Sequence, residues 1–419
     1  RWDADKYSIT FDNDGHGQTL EDKEVTYDEG YSLTDLTQTG YTFNGWYTKT
    51  DFSDAQVLNI DNETYGDKEF YAQWIPNNFT ITLNNQEASA TGTTEVIDAT
   101  YDAVLSAITV PTKDGYTFGG YYTAANGLGT QYYTAEGKST KALCDLTEAT
   151  TLYAKWTPNT YMLTLDNGNA TVAGSSNVIV TYNNTLPSIA VPNKTGYSFG
   201  GYYSGVNGTG TKYYTEFGVE NGNTWSTADN GTLYACWTAN TYNIAYEVNG
   251  GNIVLGKVES YTYGEGATLP KEVTKEGYSF QGWYSTSYFE GEARTQVTNT
   301  DLGDKTFYAK WNVNTYNVTL NANEGSINSG NMTNYVYGST VVLPSDVTKT
   351  GYTFNGWFGN ENFDGEAITT IANNEVGDKV FYAMWAANEY TITYEVAGGL
   401  IEDANYKTSY TFGNETTLP

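Results

Sequence analysis

From Tyr7 the sequence reads YSITF, with Tyr7, Ile9 and Phe11 alternating with Ser8 and Thr10. A period of two marks an extended strand with one face buried, in an antiparallel or mixed sheet. Tyr242, Ile244 and Tyr246 repeat the pattern. A second alternating run puts Phe70, Ala72 and Trp74 on one face, as it does Phe307, Ala309 and Trp311. Each Trp therefore reads as a core anchor. Between these runs lie weaker ones, such as KEVTY to Tyr27, VIVTY to Tyr182 and ESYTY to Tyr263. A turn follows, often with Leu-Pro: Leu186-Pro187, Leu269-Pro270 and Leu343-Pro344. Proline has no N–H for the ladder, so it ends the strand. Next comes GYTFNGWY from Gly40. Its first glycine permits a positive-φ turn, and a bulge at Gly45 would turn Trp46 toward the side of Tyr41 and Phe43.

This last phrase returns at Gly115, Gly196, Gly277 and Gly351, at spacings of 75, 81, 81 and 74 residues. The closing phrase keeps step and ends at Trp74, Trp156, Trp237, Trp311 and Trp385. The opening phrase starts at Tyr7, Phe79, Tyr161, Tyr242, Tyr316 and Tyr390. Three phrases in fixed order are tandem repeats. Units of this length lie in the size range of small independent domains. The expected domains are a tail of a preceding repeat over 1–5, five repeats over 6–74, 75–156, 157–237, 238–311 and 312–385, and the first half of a sixth over 386–419. The missing half of that sixth repeat suggests a piece cut from a longer array. With a bead about 30 Å across, five give a rod of roughly 150 Å.

Repeats 2 and 3 are the long form. They carry Tyr121 and Tyr202 in place of Trp and insert NGLGTQYYT or NGTGTKYYT, which suggests an added hairpin. Helix signals are poor, and one short helix per repeat is the most that is expected, as at STKALCDL in repeat 2. Four-residue linkers such as IPNN, TPNT and TANT leave little slack, so neighbouring repeats should be held in a restricted relation.

Of the 419 residues, 39 are Tyr, and such aromatic content argues against disorder. The net charge of −29 disfavours nucleic acid and anionic membranes as partners. Residues 1–74 alone carry 16 acidic and 5 basic side chains. No apolar run approaches membrane-spanning length, and RWDADKYS is not a signal peptide, so any targeting signal lies elsewhere. Cys144 and Cys236 occupy different places in different repeats, which fits neither a disulfide framework nor a metal site.

His16 is the single histidine, so no catalytic or metal site based on histidine can recur in the repeats. No carboxylate pair recurs at one place in every repeat. The expectation is a non-enzyme without a cofactor. Asp12-Asn13-Asp14-Gly15 resembles the start of a calcium loop without its full ligand pattern, and a polar turn is the simpler reading. Tyr71, Tyr153, Tyr234, Tyr308 and Tyr382 lie on the alternate face of the closing strand. Tyr132, Tyr133, Tyr213 and Tyr214, together with Trp225, are the candidate ligand-binding residues. Exposed, they could stack on sugars or a protein; buried, they would fill a core.

The Y-x-I-T-F strand, the G-Y-x-F-x-G-W-Y phrase and the L/F-Y-A-x-W strand resemble the internalin-type B repeat, or Listeria–Bacteroides repeat. The resemblance covers almost the whole chain. It implies a compact β-grasp variant in tandem on large surface proteins, mostly of Gram-positive bacteria, and brings no catalytic residues. The expected fold is a β-rich α+β class of β-grasp-like repeats arranged as an elongated rod. The expected function is an extracellular stalk or spacer at the bacterial cell surface. The alternatives are an adhesion module for host or microbial glycan or protein, and a self-assembling fibre subunit.

Overall fold

The computed structural model describes residues 1–89 and 94–419. The chain forms two compact units, one of 1–194 with 199–237 and one of 195–198 with 238–419. The second unit thus takes the start of the aromatic strand of repeat 3 as well as everything after that repeat.

In the first unit, repeat 1 is a four-stranded sheet. Its order is second strand (Lys23–Thr26), opening strand (Lys6–Asp12), closing strand (Lys68–Pro76) and aromatic strand (Tyr41–Tyr47). The opening and closing strands run parallel, and the other two pairings are antiparallel. Repeats 2 and 3 keep this order and add a fifth strand beside the aromatic one, Leu128–Tyr133 and Lys212–Tyr214. In the second unit, repeats 4 and 5 return to four strands, with aromatic strands Tyr278–Tyr284 and Tyr352–Phe358. Beyond them Glu389–Thr391 pairs with Ser409–Thr411.

The expected α+β, β-grasp-like class is not what forms: the repeats are all-β. Among the described residues the helical segments are single 3-10 turns, Ala125–Gly127 and Val206–Gly208. STKALCDL bridges to Tyr133 at Ser139 and is otherwise bends and irregular chain. The connection that a helix would occupy is extended instead. It pairs in two-stranded ribbons such as Ala267–Thr268 with Gln296–Val297 and Ile327 with Val347. Its residues, as in KEVTKE and SDVTKT, lack an apolar repeat at helical spacing.

The bulge forms. Phe43 faces Trp74 across the ladder, then Gly45 faces Gln73, so Asn44 is the extra residue. Gly45 has φ 108°, and Trp46 is buried beside Phe43 with ring centroids 5.6 Å apart. The indole nitrogens of Trp283 and Trp357 donate to the carbonyls of Pro270 (2.8 Å) and Pro344 (2.7 Å). The Leu-Pro turn therefore also supplies the acceptor that a buried indole requires.

Repeats 2 and 3 solve the same problem with two rings. Tyr121 and Tyr202 take the Trp position, and Tyr133 and Tyr214 from the added strand lie 6.4 Å away, edge to face. All four are fully buried. The hydroxyl of Tyr121 donates to Asn85 Oδ1, that of Tyr202 to Asn167 Oδ1 (2.7 Å), and that of Tyr133 to the Ser106 carbonyl (3.2 Å). The Trp-to-Tyr change and the insertion are thus one compensated change. Tyr133→Ala should therefore destabilise repeat 2 by about 3 kcal/mol, on the scale of other buried aromatic truncations, as measured by urea unfolding of the full chain. An effect under about 1 kcal/mol would refute the paired-ring account.

Candidate functional site

The aromatic residues proposed from sequence as ligand contacts are core residues. Tyr132, Tyr133, Tyr213, Tyr214 and Trp225 are all buried. Trp225 packs tilted against Tyr213 at 5.4 Å, and its indole donates to the Asp229 carbonyl (2.9 Å). Its own carbonyl accepts from the Asn183 amide, as that of Cys144 accepts from Asp102 in repeat 2. Trp225 and Cys144 are counterparts that close the same end of the core, so Trp225 has no free face for a ligand. Tyr71, Tyr153, Tyr234, Tyr308 and Tyr382 are half-buried on the outer face.

The Asp12–Gly15 segment is a turn. Asp12 Oδ1 accepts from the Asp14 amide (2.9 Å) and Asn13 Oδ1 from the Gly15 amide (3.3 Å). The Asn13 carbonyl takes the Trp74 indole (3.1 Å). Among the described residues no three His, Cys, Asp or Glu side chains gather as metal ligands would. The two cysteines are free.

What recurs five times is a joint where one repeat meets the next. The glycine opening each aromatic strand has positive φ: 83° at Gly40, 78° at Gly115 and Gly196, 74° at Gly277 and 82° at Gly351. The linker asparagine, three residues past each closing Trp, donates its amide to that glycine's carbonyl at 2.8 to 2.9 Å. These are Asn77, Asn159, Asn240, Asn314 and Asn388. The carbonyl of the same asparagine accepts the amide of an aromatic residue ending the next repeat's second strand. Those residues are Tyr101, Tyr182, Tyr263, Tyr337 and Phe412, at 2.8 to 3.1 Å. Its Oδ1 accepts a hydroxyl from Thr42, Thr117, Ser198, Ser279 or Thr353, at 2.5 to 2.6 Å.

The aromatic ring of the following repeat then covers the glycine. A Cβ on Gly40, Gly115, Gly196, Gly277 or Gly351 would lie 2.2 to 2.5 Å from it. That ring also packs edge to face on the tyrosine after the glycine. The centroid separations are 5.3 Å for Tyr41–Tyr101, 5.4 Å for Tyr116–Tyr182 and 5.6 Å for Tyr197–Tyr263. They are 5.7 Å for Tyr278–Tyr337 and 5.6 Å for Tyr352–Phe412. Such pairs contribute about 0.5–1.5 kcal/mol beyond the area they bury.

A lysine two residues before the glycine reinforces the turn. Lys113, Lys275 and Lys349 lie 5.0, 4.2 and 4.6 Å from the joint tyrosine rings. They donate to the carbonyls of Gln86, Asn249 and Asn323. Repeat 1 has Gln38 at this position, and the His16 ring packs 4.4 Å from Tyr41 instead.

Two tests follow from this geometry. Asn314→Ala removes the acceptor for Ser279 but keeps the backbone bonds. It should weaken the joint by about 1 kcal/mol, read as roughly fivefold faster hydrogen exchange at the Tyr337 amide. Unchanged exchange would remove the side chain from the joint. The first joint is also pH-sensitive. Burial, then the hydrogen bond to Asp102 (2.7 Å), raises the Tyr41 phenol to about 12. A folded value above the unfolded value of about 10 means the contribution is whole below pH 10 and lost as pH rises toward 12. Difference absorbance against Tyr41→Phe should show this late titration, and a phenol ionising near pH 10 would contradict it.

Sequence reasoning passed over this joint, although its signals were present. Asparagine stands three residues after each closing Trp, and an aromatic residue ends each following second strand.

The profile of the Listeria–Bacteroides repeat domain matches residues 7–73, 79–155, 161–236, 242–310 and 316–384. A protein of Evansella cellulosilytica named "Putative Gly-rich membrane protein" is 34% identical over 378 residues, covering 87% of this chain and 41% of its own. Internalin H of Listeria monocytogenes is 34% identical over 164 residues, covering 37% of this chain and 26% of its own. The chain spans less than half the length of these relatives. No helix among the described residues is long and apolar enough to cross a membrane.

Proposed function

This chain belongs to the Listeria–Bacteroides repeat domain family, and from that premise we propose that it is a structural spacer in an extracellular bacterial surface protein. The observation that carries the reading is the recurrent joint. The same glycine, linker asparagine and aromatic lid recur in every repeat, whatever the repeat's form. A spacer has to transmit position along the chain, and a joint with three hydrogen bonds and a ring contact supports this within each compact unit. The core of each repeat supplies the folded body, and the joint supplies the relation between bodies. The relatives named as membrane protein and internalin favour the cell surface as its place. The adhesion alternative through Trp225 and the paired tyrosines has no exposed aromatic face to act with.

Displaying the chain between a cell-wall anchor and a reporter binding module tests this. Deleting residues 242–384 should reduce the module's access to an immobilised ligand, and repeats 2 and 3 inserted in their place should restore it. Access that is independent of repeat number would overturn the spacer reading.

A further inference from the structure

The hairpin turns of repeats 2 and 3 have one backbone and opposite surfaces. In repeat 2, Thr134 accepts the Gly137 amide (3.0 Å), and the Gly137 carbonyl accepts from Ile108 (3.0 Å). In repeat 3, Thr215 accepts the Gly218 amide (3.1 Å), and the Gly218 carbonyl accepts from Ile189 (2.9 Å). Beside the shared glycine, repeat 2 carries Glu136 and Lys138, where repeat 3 carries Phe217 and Val219. Phe217 is 76% exposed and Val219 46%.

The patch continues beyond the turn. Val191 (43% exposed) lies against Gly218, and Val172 (62% exposed) bridges to Asn193. Phe217 and Val219 flank Gly218, Val191 lies against it, and Val172 is exposed on the neighbouring segment that bridges to Asn193, two residues beyond Val191. Neither the core nor a joint uses them. A protruding aromatic among apolar neighbours is the usual anchor of a protein contact.

Charge sets where two copies of this acidic chain can meet. Repeat 3 (157–237) has six charged side chains in 81 residues, against 18 in repeat 1, 12 in repeat 2, 15 in repeat 4 and nine in repeat 5. The acid nearest the tip in sequence, Glu216, is paired with Lys212 at 3.4 Å. In a chain of net charge −29, this is the place where two copies meet against the least repulsion. We propose that repeat 3 carries a self-association site, in which the Phe217 turn of one chain packs on the same turn of a second copy. The contact is isologous and dry, and too small for a permanent dimer. Its dissociation constant should fall in the range of tens to hundreds of micromolar, which becomes effective only where chains are held close together. The inference goes beyond the spacer reading, which stands whether or not copies pair.

Sedimentation equilibrium of the full chain tests it. Mass should rise toward a dimer as concentration passes about 100 µM. Raising salt from about 50 to about 500 mM should strengthen the association, because it screens the acidic repulsion. Phe217→Glu with Val219→Lys copies the turn of repeat 2, so the fold has a precedent for both residues. This variant should weaken association at least about tenfold with unchanged thermal unfolding. A monomer throughout the range would overturn the proposal, as would a dimer that the double substitution leaves intact.

Discussion

Trp283→Ala should cost repeat 4 about 3–5 kcal/mol. The indole is almost fully buried, packs on Tyr246 at 4.9 Å and Phe280 at 5.3 Å, and gives its proton to Pro270. Truncation empties the centre of a core of eight buried residues and leaves a buried carbonyl unpaired. A domain of this size is stable by only about 0.05–0.15 kcal/mol per residue, so the loss approaches its whole stability. Hydrogen exchange should show the Phe307 strand losing protection while the cores of repeats 2 and 3 keep theirs. Repeat 4 lacks the added strand whose Tyr214 fills the space beside Tyr202 in repeat 3, so Trp283→Tyr should also be destabilising. Protection at Phe307 that survives the alanine change would mean that the Trp is not the anchor described.

Gly277→Val should open the joint between repeats 4 and 5. The residue sits at φ 74°, where a side chain costs about 1–2 kcal/mol. A Cβ there would lie 2.2 Å from the Tyr337 ring. That ring cannot yield without losing its edge-to-face contact with Tyr278, and its backbone amide is bound to Asn314. Separation of the repeats relieves the clash, so the Tyr337 amide should exchange freely while both cores persist. Gly303→Ala is the control. It has the same φ of 74° but nothing within 4 Å of its Cβ, so it should bear the backbone cost and leave the joint closed.

The strands, the Trp anchors and the bulge were legible because each leaves a period-two trace with aromatic residues at fixed points. The expected α+β class failed, because the connecting segments are short and β-branched and carry no helical period. The β-grasp expectation came with the family resemblance and brought a helix that these segments do not form. The aromatic residues of the long repeats were ambiguous for a different reason. Tyr132-Tyr133 and Tyr213-Tyr214 look alike as surface or core until the added strand is seen folding back over Tyr121 and Tyr202. The joint is a contact between repeats, and patterns read within one repeat do not expose it. It also answers why GYTFNGWY recurs: its second half anchors the core of its own repeat, and its first two residues receive the next repeat.

The most direct test of the central claim is the distance distribution between two spin labels across one joint in the full chain. Labels at Tyr288→Cys and Glu366→Cys, both exposed positions, span repeats 4 and 5. Cys144→Ala and Cys236→Lys remove the native thiols, the latter with the residue found at Lys155 and Lys310. A docked joint gives one narrow distribution that broadens in Gly277→Val and holds in Gly303→Ala. A broad distribution in the otherwise native chain would contradict the account, and leave these repeats as independent domains on a flexible string.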